Sequence, residues 1–243
     1  MNTNLNPLKD QFVLTDINII NKLVAAAKLK RSDTVLEIGS GTGNITAEIA
    51  KYGVKVIAFE TDKKFRRYRS TLPPNVHVYY EKAKVPSDFK GKIISNPPFS
   101  SVEGIIHSLI YVNYEKVILL TSKKTLKTIA NSGIYSSFFK AEILFEVPPT
   151  CFYPIPKTNS VVIDLLRTDR KKLDIFLRQF VYSHPNQLVK NSLMEGLVRF
   201  HKVTKNDARK IISEKNIEKE ILENQPIGND VYFLISVVFA HSK

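Results

Sequence analysis

Thr34-Val35-Leu36-Glu37-Ile38-Gly39-Ser40-Gly41-Thr42-Gly43-Asn44-Ile45-Thr46-Ala47-Glu48-Ile49-Ala50 passes from a β-rich apolar run through three alternate glycines into a helical pattern. Glycines at a strand end let the backbone turn tightly and come close to a ligand where a Cβ would clash, and the helix launched there presents its N-terminus. Outward from this unit, short β-rich runs alternate with helical patterns from Thr34 to about Leu166. The expected strands are Thr34–Ile38, Lys55–Glu60, Val76–Tyr80, Lys92–Ser95, Lys116–Leu120, Ala141–Val147 and Ser160–Leu165, with helices over Ile17–Lys28 and Asn44–Lys51. That alternation predicts an α/β, Rossmann-like fold with a seven-stranded, mostly parallel sheet. Pro148, Pro149, Pro154 and Pro156 between the last two strands suggest a hairpin with a stiff loop. After Arg167 the strands stop. Leu173–Val181, Pro185–His201, Lys205–Ser213 and Val231–Ala240 read as helices, so a domain over 1–167 and a small helical domain over 168–243 are expected.

Gly-x-Gly-x-Gly also fits dinucleotide binders, but two carboxylates tilt the reading. Glu37 precedes the first glycine, as in sites that grip a cationic amino-acid moiety rather than a pyrophosphate. Glu60 ends the second strand about twenty residues on, where a carboxylate accepts both ribose hydroxyls, with Thr61 beside it. Together they suggest S-adenosylmethionine and the sheet of the class I methyltransferases.

Asn96-Pro97-Pro98-Phe99 supplies the chemistry. The Asn96 side-chain oxygen and the following carbonyl each accept one hydrogen of an exocyclic amino group, which draws the nitrogen lone pair out of conjugation with the base. The prolines stiffen the loop, and the Phe99 ring stacks on the base.

The 243-residue chain is 43% hydrophobic and 24% charged, an ordinary balance for a globular protein with a real core. Its 36 Lys+Arg against 23 Asp+Glu give a net charge of +13, a field that favours polyanions. No apolar stretch approaches the roughly 18 residues of a membrane-spanning helix, and Met1 to Lys9 has no apolar signal core. A cytoplasmic protein without a membrane partner is expected. Cys151 is the sole cysteine and the five histidines lack ligand spacing, so no disulfide and no metal are expected.

Several segments resemble the rRNA adenine N6-dimethyltransferases, which act near the 3′ end of small-subunit rRNA and are related to the macrolide-resistance rRNA methylases. Gln11-Phe12-Val13-Leu14-Thr15-Asp16 resembles the family's N-terminal segment that closes over the cofactor, so Gln11, Phe12 and Leu14 are expected at the cofactor. Val35 to Gly43 is similar to its cofactor loop, which implies cofactor roles for Glu37, Gly39, Gly41 and Gly43, and Glu60 falls on its ribose-binding acid. Ile94 to Phe99 falls on its catalytic segment, which implies Asn96, Pro97 and Phe99. Val147-Pro148-Pro149-Thr150-Cys151-Phe152-Tyr153-Pro154-Ile155-Pro156-Lys157 is the most family-specific stretch, and Phe180 to Leu193 resembles the helix with a basic rRNA-facing motif. Departures stand out. Where the family has an Asp that accepts from the cofactor's adenine, this chain reads Glu81-Lys82-Ala83, and an ammonium accepts nothing. Phe99 replaces a Tyr, and His184-Pro185-Asn186-Gln187 lacks an arginine pair.

Basic residues cluster at Lys63, Lys64, Arg66, Arg67 and Arg69, at Lys123, Lys124 and Lys127, and at Arg167, Arg170, Lys171 and Lys172. Each cluster alone reads as a solvated helix face; around an adenine site they become phosphate contacts, which set affinity rather than sequence. Phe152 and Tyr153 are candidates to stack on the far face of a flipped adenine. The implied enzyme is a monomer that transfers methyl groups from S-adenosylmethionine to N6 of adenines in small-subunit rRNA during ribosome assembly. Alternatives are a large-subunit rRNA methylase of the resistance type, a DNA adenine methyltransferase, and a non-catalytic RNA-binding assembly factor.

Overall fold

A computed structural model describes residue 5 and residues 11–86, 88–110, 112, 114–168, 172–217, 219–224, 226 and 230–239. Its first strands are β1 (Val13–Leu14), β2 (Thr34–Ile38), β3 (Lys55–Phe59), β4 (Val76–Tyr79) and β5 (Lys92–Ser95). Then come β6 (Lys116–Ser122), β7 (Phe139–Val147), β8 (Phe152–Tyr153) and β9 (Ser160–Arg167). Seven of them form one sheet in the order β4-β3-β2-β5-β6-β9-β7. Strands β2 to β6 pair in parallel, and β9 returns antiparallel to β6. β7 and β9, which the proline-rich connection joins, are neighbours in the sheet.

The central strands are apolar without alternation because both faces are covered: every residue of β5 is buried, as are Val35 to Ile38 of β2. One buried residue of β5 is charged. Lys92, 2% exposed, lies 2.8 Å from Asp33 and 3.3 Å from Glu115, and donates to the Lys28 carbonyl at 2.8 Å. These partners tie together the N-terminal ends of β2, β5 and β6, away from the functional edge.

Strand order reverses between β2 and β5. The chain leaves β2 for β3 and β4 on one side and returns to β5 on the other. Such a switch point opens a crevice at the carboxyl ends of the two strands. Ile38 and Ser95 are register partners, so Gly39 and Asn96 begin their loops side by side there. Helix α1 (Ile17–Ala26) is capped by the Asp16 carboxylate, and α2 (Asn44–Ala50) starts from Gly43 in the left-handed region at φ +86°. Helix α3 (Phe99–Leu109) follows the Asn96 loop.

The chain divides into two compact units, residues 1–127 with 141–166, and residues 128–140 with 167–243. Segment 128–140 groups with the helices, although its place in the sequence assigns it to the expected 1–167 domain. The reason is packing: Ile134 rests on the helical core, and the Ser137 carbonyl accepts from Gln179 Nε2 at 3.1 Å. In this second unit α4 (Lys123–Asn131) ends and α5 (Gly133–Phe138) lies, followed by α6 (Leu173–Tyr182), α7 (Val189–His201), α8 (Lys205–Glu214), α9 (Lys219–Glu223) and α10 (Asp230–Phe239). Leu177, Val181, Leu193, Leu197 and Ile235 form its core. The helix expected from Pro185 begins at Val189, and Phe180 to Leu193 is broken into the end of α6 and the start of α7. Proline disfavours the α conformation in the residue before it, and the Gln187 N–H closes a turn on the His184 carbonyl at 3.1 Å. Among the described residues no helix is long and apolar enough to cross a membrane.

Candidate active site

The glycine loop is built by its backbone. Gly39, Gly41 and Gly43 have φ of +81°, +51° and +86°, values open to glycine and strained for other residues. The Gly39 and Ser40 N–H groups donate to the Phe59 carbonyl at 2.8 and 3.1 Å, which pins the loop to the end of β3. There Glu60, 8% exposed, accepts from Gly41 N–H through Oε2 and from Asp62 N–H through Oε1, both at 2.8 Å. Each carboxylate oxygen keeps lone-pair capacity for a ligand hydroxyl. A Cβ on Gly41 would meet nothing within 4 Å, so the loop is open to a ligand there. Gly43 differs: a Cβ would lie 3.0 Å from Leu72 Cδ2, and the residue does not line the cavity. Its expected cofactor role gives way to a turn that must pass Leu72.

Glu37 sits at the carboxyl end of β2 and is 1% exposed. Thr46 Oγ1, in the first turn of α2, donates to its Oε2 at 2.5 Å. Burial pushes the Glu37 carboxyl up to about 7; the Thr46 bond opposes this, and the nearby Glu60 charge adds to it.

A cavity of about 900 Å³ lies over these carboxylates. Gln11, Phe12 and Leu14 line it from β1 and the residues before it; Glu37, Gly39 and Gly41 from the glycine loop; Glu60 and Thr61 from the end of β3. Glu81 and Lys82 line it after β4, and Asn96 and Pro97 after β5. A Cβ on Gly39 would stand 3.5 Å from Pro97 Cα and 3.8 Å from the Asn96 carbonyl oxygen, so the two loops touch. Phe99 does not line the cavity: it is half-buried at the start of α3, against the apolar core. One contributor carries no mark in the motifs. Ser100, Ser101, Gly104, His107 and Ser108 of α3 also line the cavity, and the helix is signalled by Val102, Ile105, Ile106 and Leu109, all buried at helical spacing.

β1 pairs antiparallel with β8, Val13 opposite Tyr153 and Leu14 opposite Phe152. This corrects one expectation. Phe152 is 3% exposed inside the core cluster, so its ring cannot reach a base, whereas Tyr153 is 56% exposed beside a strand that lines the cavity. Strands of two residues each show no periodicity, which is why the pair is unmarked in the sequence.

The basic residues after Glu60 lie on a 3₁₀ helix, Lys63–Thr71. Lys64 is held by Gln11 and Asp62, and Arg69 donates to the Val76 carbonyl at 2.8 Å. Arg66 lies over the Tyr80 ring and Arg67 over the Tyr68 ring, while Lys63 is exposed. Lys123 pairs with Glu146 at 2.6 Å; Lys124 and Lys127 are exposed on α4. Arg167 lies over the Phe139 ring and Lys172 is exposed, while Arg170 and Lys171 fall outside the described residues.

Comparison with known proteins gives consistent matches. The profile of the family described as ribosomal RNA adenine dimethylase matches residues 2–225. A protein of Thermotoga maritima named ribosomal RNA small subunit methyltransferase A is 31% identical over 217 residues, 79% of this chain and 76% of the relative. Its namesake in Ligilactobacillus salivarius is 33% identical over 210 residues, 76% of this chain and 70% of that one. Among solved structures, a dimethyladenosine transferase from Plasmodium falciparum superposes with a TM-score of 0.59 at 22% identity, over 94% of this chain and 97% of its own. The 23S rRNA methyltransferase ErmE does so with a TM-score of 0.57 at 17% identity, over 93% and 99%. At those identities the structural likeness speaks for the fold.

Proposed function

This chain belongs to the ribosomal RNA adenine dimethylase family and is an S-adenosylmethionine-dependent adenine methyltransferase; we propose that it methylates, and dimethylates, N6 of adenines near the 3′ end of small-subunit rRNA. The observation that carries the reading is the contact between the Gly39 and Asn96–Pro97 loops in one cavity, which puts a candidate amine-polarising group beside a candidate cofactor loop.

The residues suit the cofactor. Glu37 offers a buried carboxylate for a cationic amino-acid end, Glu60 has lone pairs for ribose hydroxyls, and the cavity at Gly41 is open to close approach. S-adenosylmethionine, when bound, supplies an electrophilic methyl group on a sulfonium. Asn96 orients the substrate: its side-chain oxygen and the Pro97 carbonyl accept the two hydrogens of the adenine amino group, which localises the N6 lone pair. Pro97 and Pro98 keep those acceptors fixed. No general base is needed, because the methylated amine sheds its proton readily to water. Tyr153 stacks on the flipped base. Lys63, Arg66 and Arg67, with Lys123 and Lys124, contact phosphates, and the helical unit faces the RNA.

The names of the relatives support the small subunit as the target. On this reading the enzyme works as a cytoplasmic monomer during ribosome assembly. Radiolabel transfer from S-adenosylmethionine into unmethylated small and large subunits, followed by nucleoside analysis, tests it. Label in N6-dimethyladenosine of the small subunit is expected; label confined to the large subunit, or absent, would overturn it.

A further inference from the structure

Two residues soon after Glu60, Asp62 and Lys64, are engaged inside the protein rather than left for RNA. Gln11 Nε2 donates to Asp62 Oδ2 at 3.0 Å, and Lys64 Nζ donates to Gln11 Oε1 at 2.6 Å. Lys64 Nζ also stands 3.1 Å from Asp62 Oδ2, which closes a triangle in which each side chain binds the other two. Both ends of the Gln11 amide therefore meet a charged partner, the stronger kind of hydrogen bond. Asp62 is itself fixed: its N–H donates to Glu60 Oε1 at 2.8 Å, and its Oδ1 accepts from the Lys64 N–H at 3.1 Å. Burial raises the Asp62 carboxyl, but the bonds from Gln11 and Lys64 and the Lys64 charge outweigh it and hold the group below its ordinary value.

The segment so held lines the cavity through Gln11, Phe12 and Leu14. Its far end is secured separately: Leu14 is 1% exposed, pairs with Phe152, and its carbonyl accepts from Asn44 Nδ2 at 2.9 Å. The near end is held by the triangle. We propose that Asp62 and Lys64 are positioning residues that latch the N-terminal segment against the cofactor, so that they set how long S-adenosylmethionine stays bound, and that Lys64 serves this latch rather than an RNA phosphate. The proposal rests on the cofactor placement given above.

The test measures S-adenosylmethionine dissociation from the full chain by stopped-flow displacement. Lys64→Met keeps the aliphatic stem without the ammonium, and Gln11→Met keeps the length without the amide. Each is expected to speed dissociation roughly threefold to tenfold, the worth of a net hydrogen bond. The double variant should be no faster than the faster single one, because both act on one latch. Lys64→Arg should restore slow release, and Lys64→Met should leave the salt slope of RNA binding unchanged. Unchanged dissociation in the single variants, or strictly additive effects, would overturn the latch. So would a reduced salt slope with normal cofactor release, which would return Lys64 to the RNA. A wild-type chain that binds no S-adenosylmethionine would instead overturn the cofactor placement itself, and the latch with it.

Discussion

Thr46 Oγ1 donates a 2.5 Å hydrogen bond to Glu37 Oε2, so the strand and helix flanking the glycine loop are joined across it by a nearly inaccessible carboxylate. A charged group so placed is costly unless a cation arrives, and the Glu37 carboxyl, pushed up to about 7 by burial, records that cost. Folded Glu37 holds its proton between its ordinary value of 4.5 and about 7, while the unfolded chain has released it. Stability from this group is therefore greatest below that window and falls as pH rises through it, by about 3 kcal/mol in all. Glu37→Gln should flatten this part of the pH dependence in urea unfolding between pH 5 and 7.5. A cationic ligand favours the ionised form, so S-adenosylmethionine binding to the wild type should release a proton near pH 6. Calorimetry in buffers of different ionisation enthalpy reads that proton directly.

Asn96→Ala should lower methyl transfer by on the order of 10²–10³-fold, the usual cost of removing one preorganised polar group from a transition state. On the proposed mechanism the side chain orients the amine rather than the cofactor, so affinity for S-adenosylmethionine should stay within about threefold, below the worth of one hydrogen bond. Single-turnover transfer and calorimetric titration on the same variant separate the two effects.

Neighbours in sequence, Phe152 and Tyr153 should fail in different assays. Phe152→Ala removes a ring from the core and should cost about 3–5 kcal/mol of stability. Tyr153→Ala should leave the melting temperature nearly unchanged and weaken productive RNA binding by about 1–3 kcal/mol, the worth of one stacked base. Thermal melts and substrate titrations of the two variants check both halves.

Much of this is legible in the sequence because the parallel sheet writes itself in continuous apolar runs, and the strand ends that carry Glu37, Glu60 and Asn96 are marked by glycine, charge and proline. What stays hidden has no local period. β1 and β8 are two residues each, and they exist because residues 138 positions apart, Leu14 and Phe152, meet in the core. The placement of 128–140 among the helices depends on the Gln179 bond to Ser137, again a long-range contact. Lys64 illustrates the limit of composition: within a basic run it reads as a phosphate contact, and only the positions of Gln11 and Asp62 reveal an internal partner.

That pairing changes the arithmetic of the basic helix. With Lys64 occupied and Arg69 bound to the Val76 carbonyl, Lys63, Arg66 and Arg67 remain as the proposed phosphate contacts of this segment. Neutralising these three together should reduce the slope of log affinity against log salt by about 0.7–0.9 for each phosphate that is no longer neutralised. Filter binding across a salt series measures it, and an unchanged slope would move the RNA to another face.

Lys82 sets the last test. Glu81 and Lys82 both line the cavity, and both are exposed at its rim; among the described residues Glu81 has only a 4.0 Å approach from Lys84 to hold it. Nothing in that geometry prevents the Glu81 carboxylate from turning inward to accept from an adenine amino group, whereas the Lys82 ammonium has donors alone. If Glu81 takes the role, Glu81→Met, which removes the acceptor, should weaken S-adenosylmethionine binding by about threefold to tenfold, the worth of one net hydrogen bond, and Lys82→Asp should change little. If neither side chain takes it, one acceptor is missing in the wild type, and Lys82→Asp should tighten binding by a similar factor. The first outcome is expected, because Glu81 is already at the rim with a single weak partner. Calorimetric titration of the two single variants decides between them, with adenine-ring specificity checked by competition with an analogue that lacks the amino group: the wild type should lose affinity for that analogue, and Glu81→Met should bind it and the parent cofactor alike.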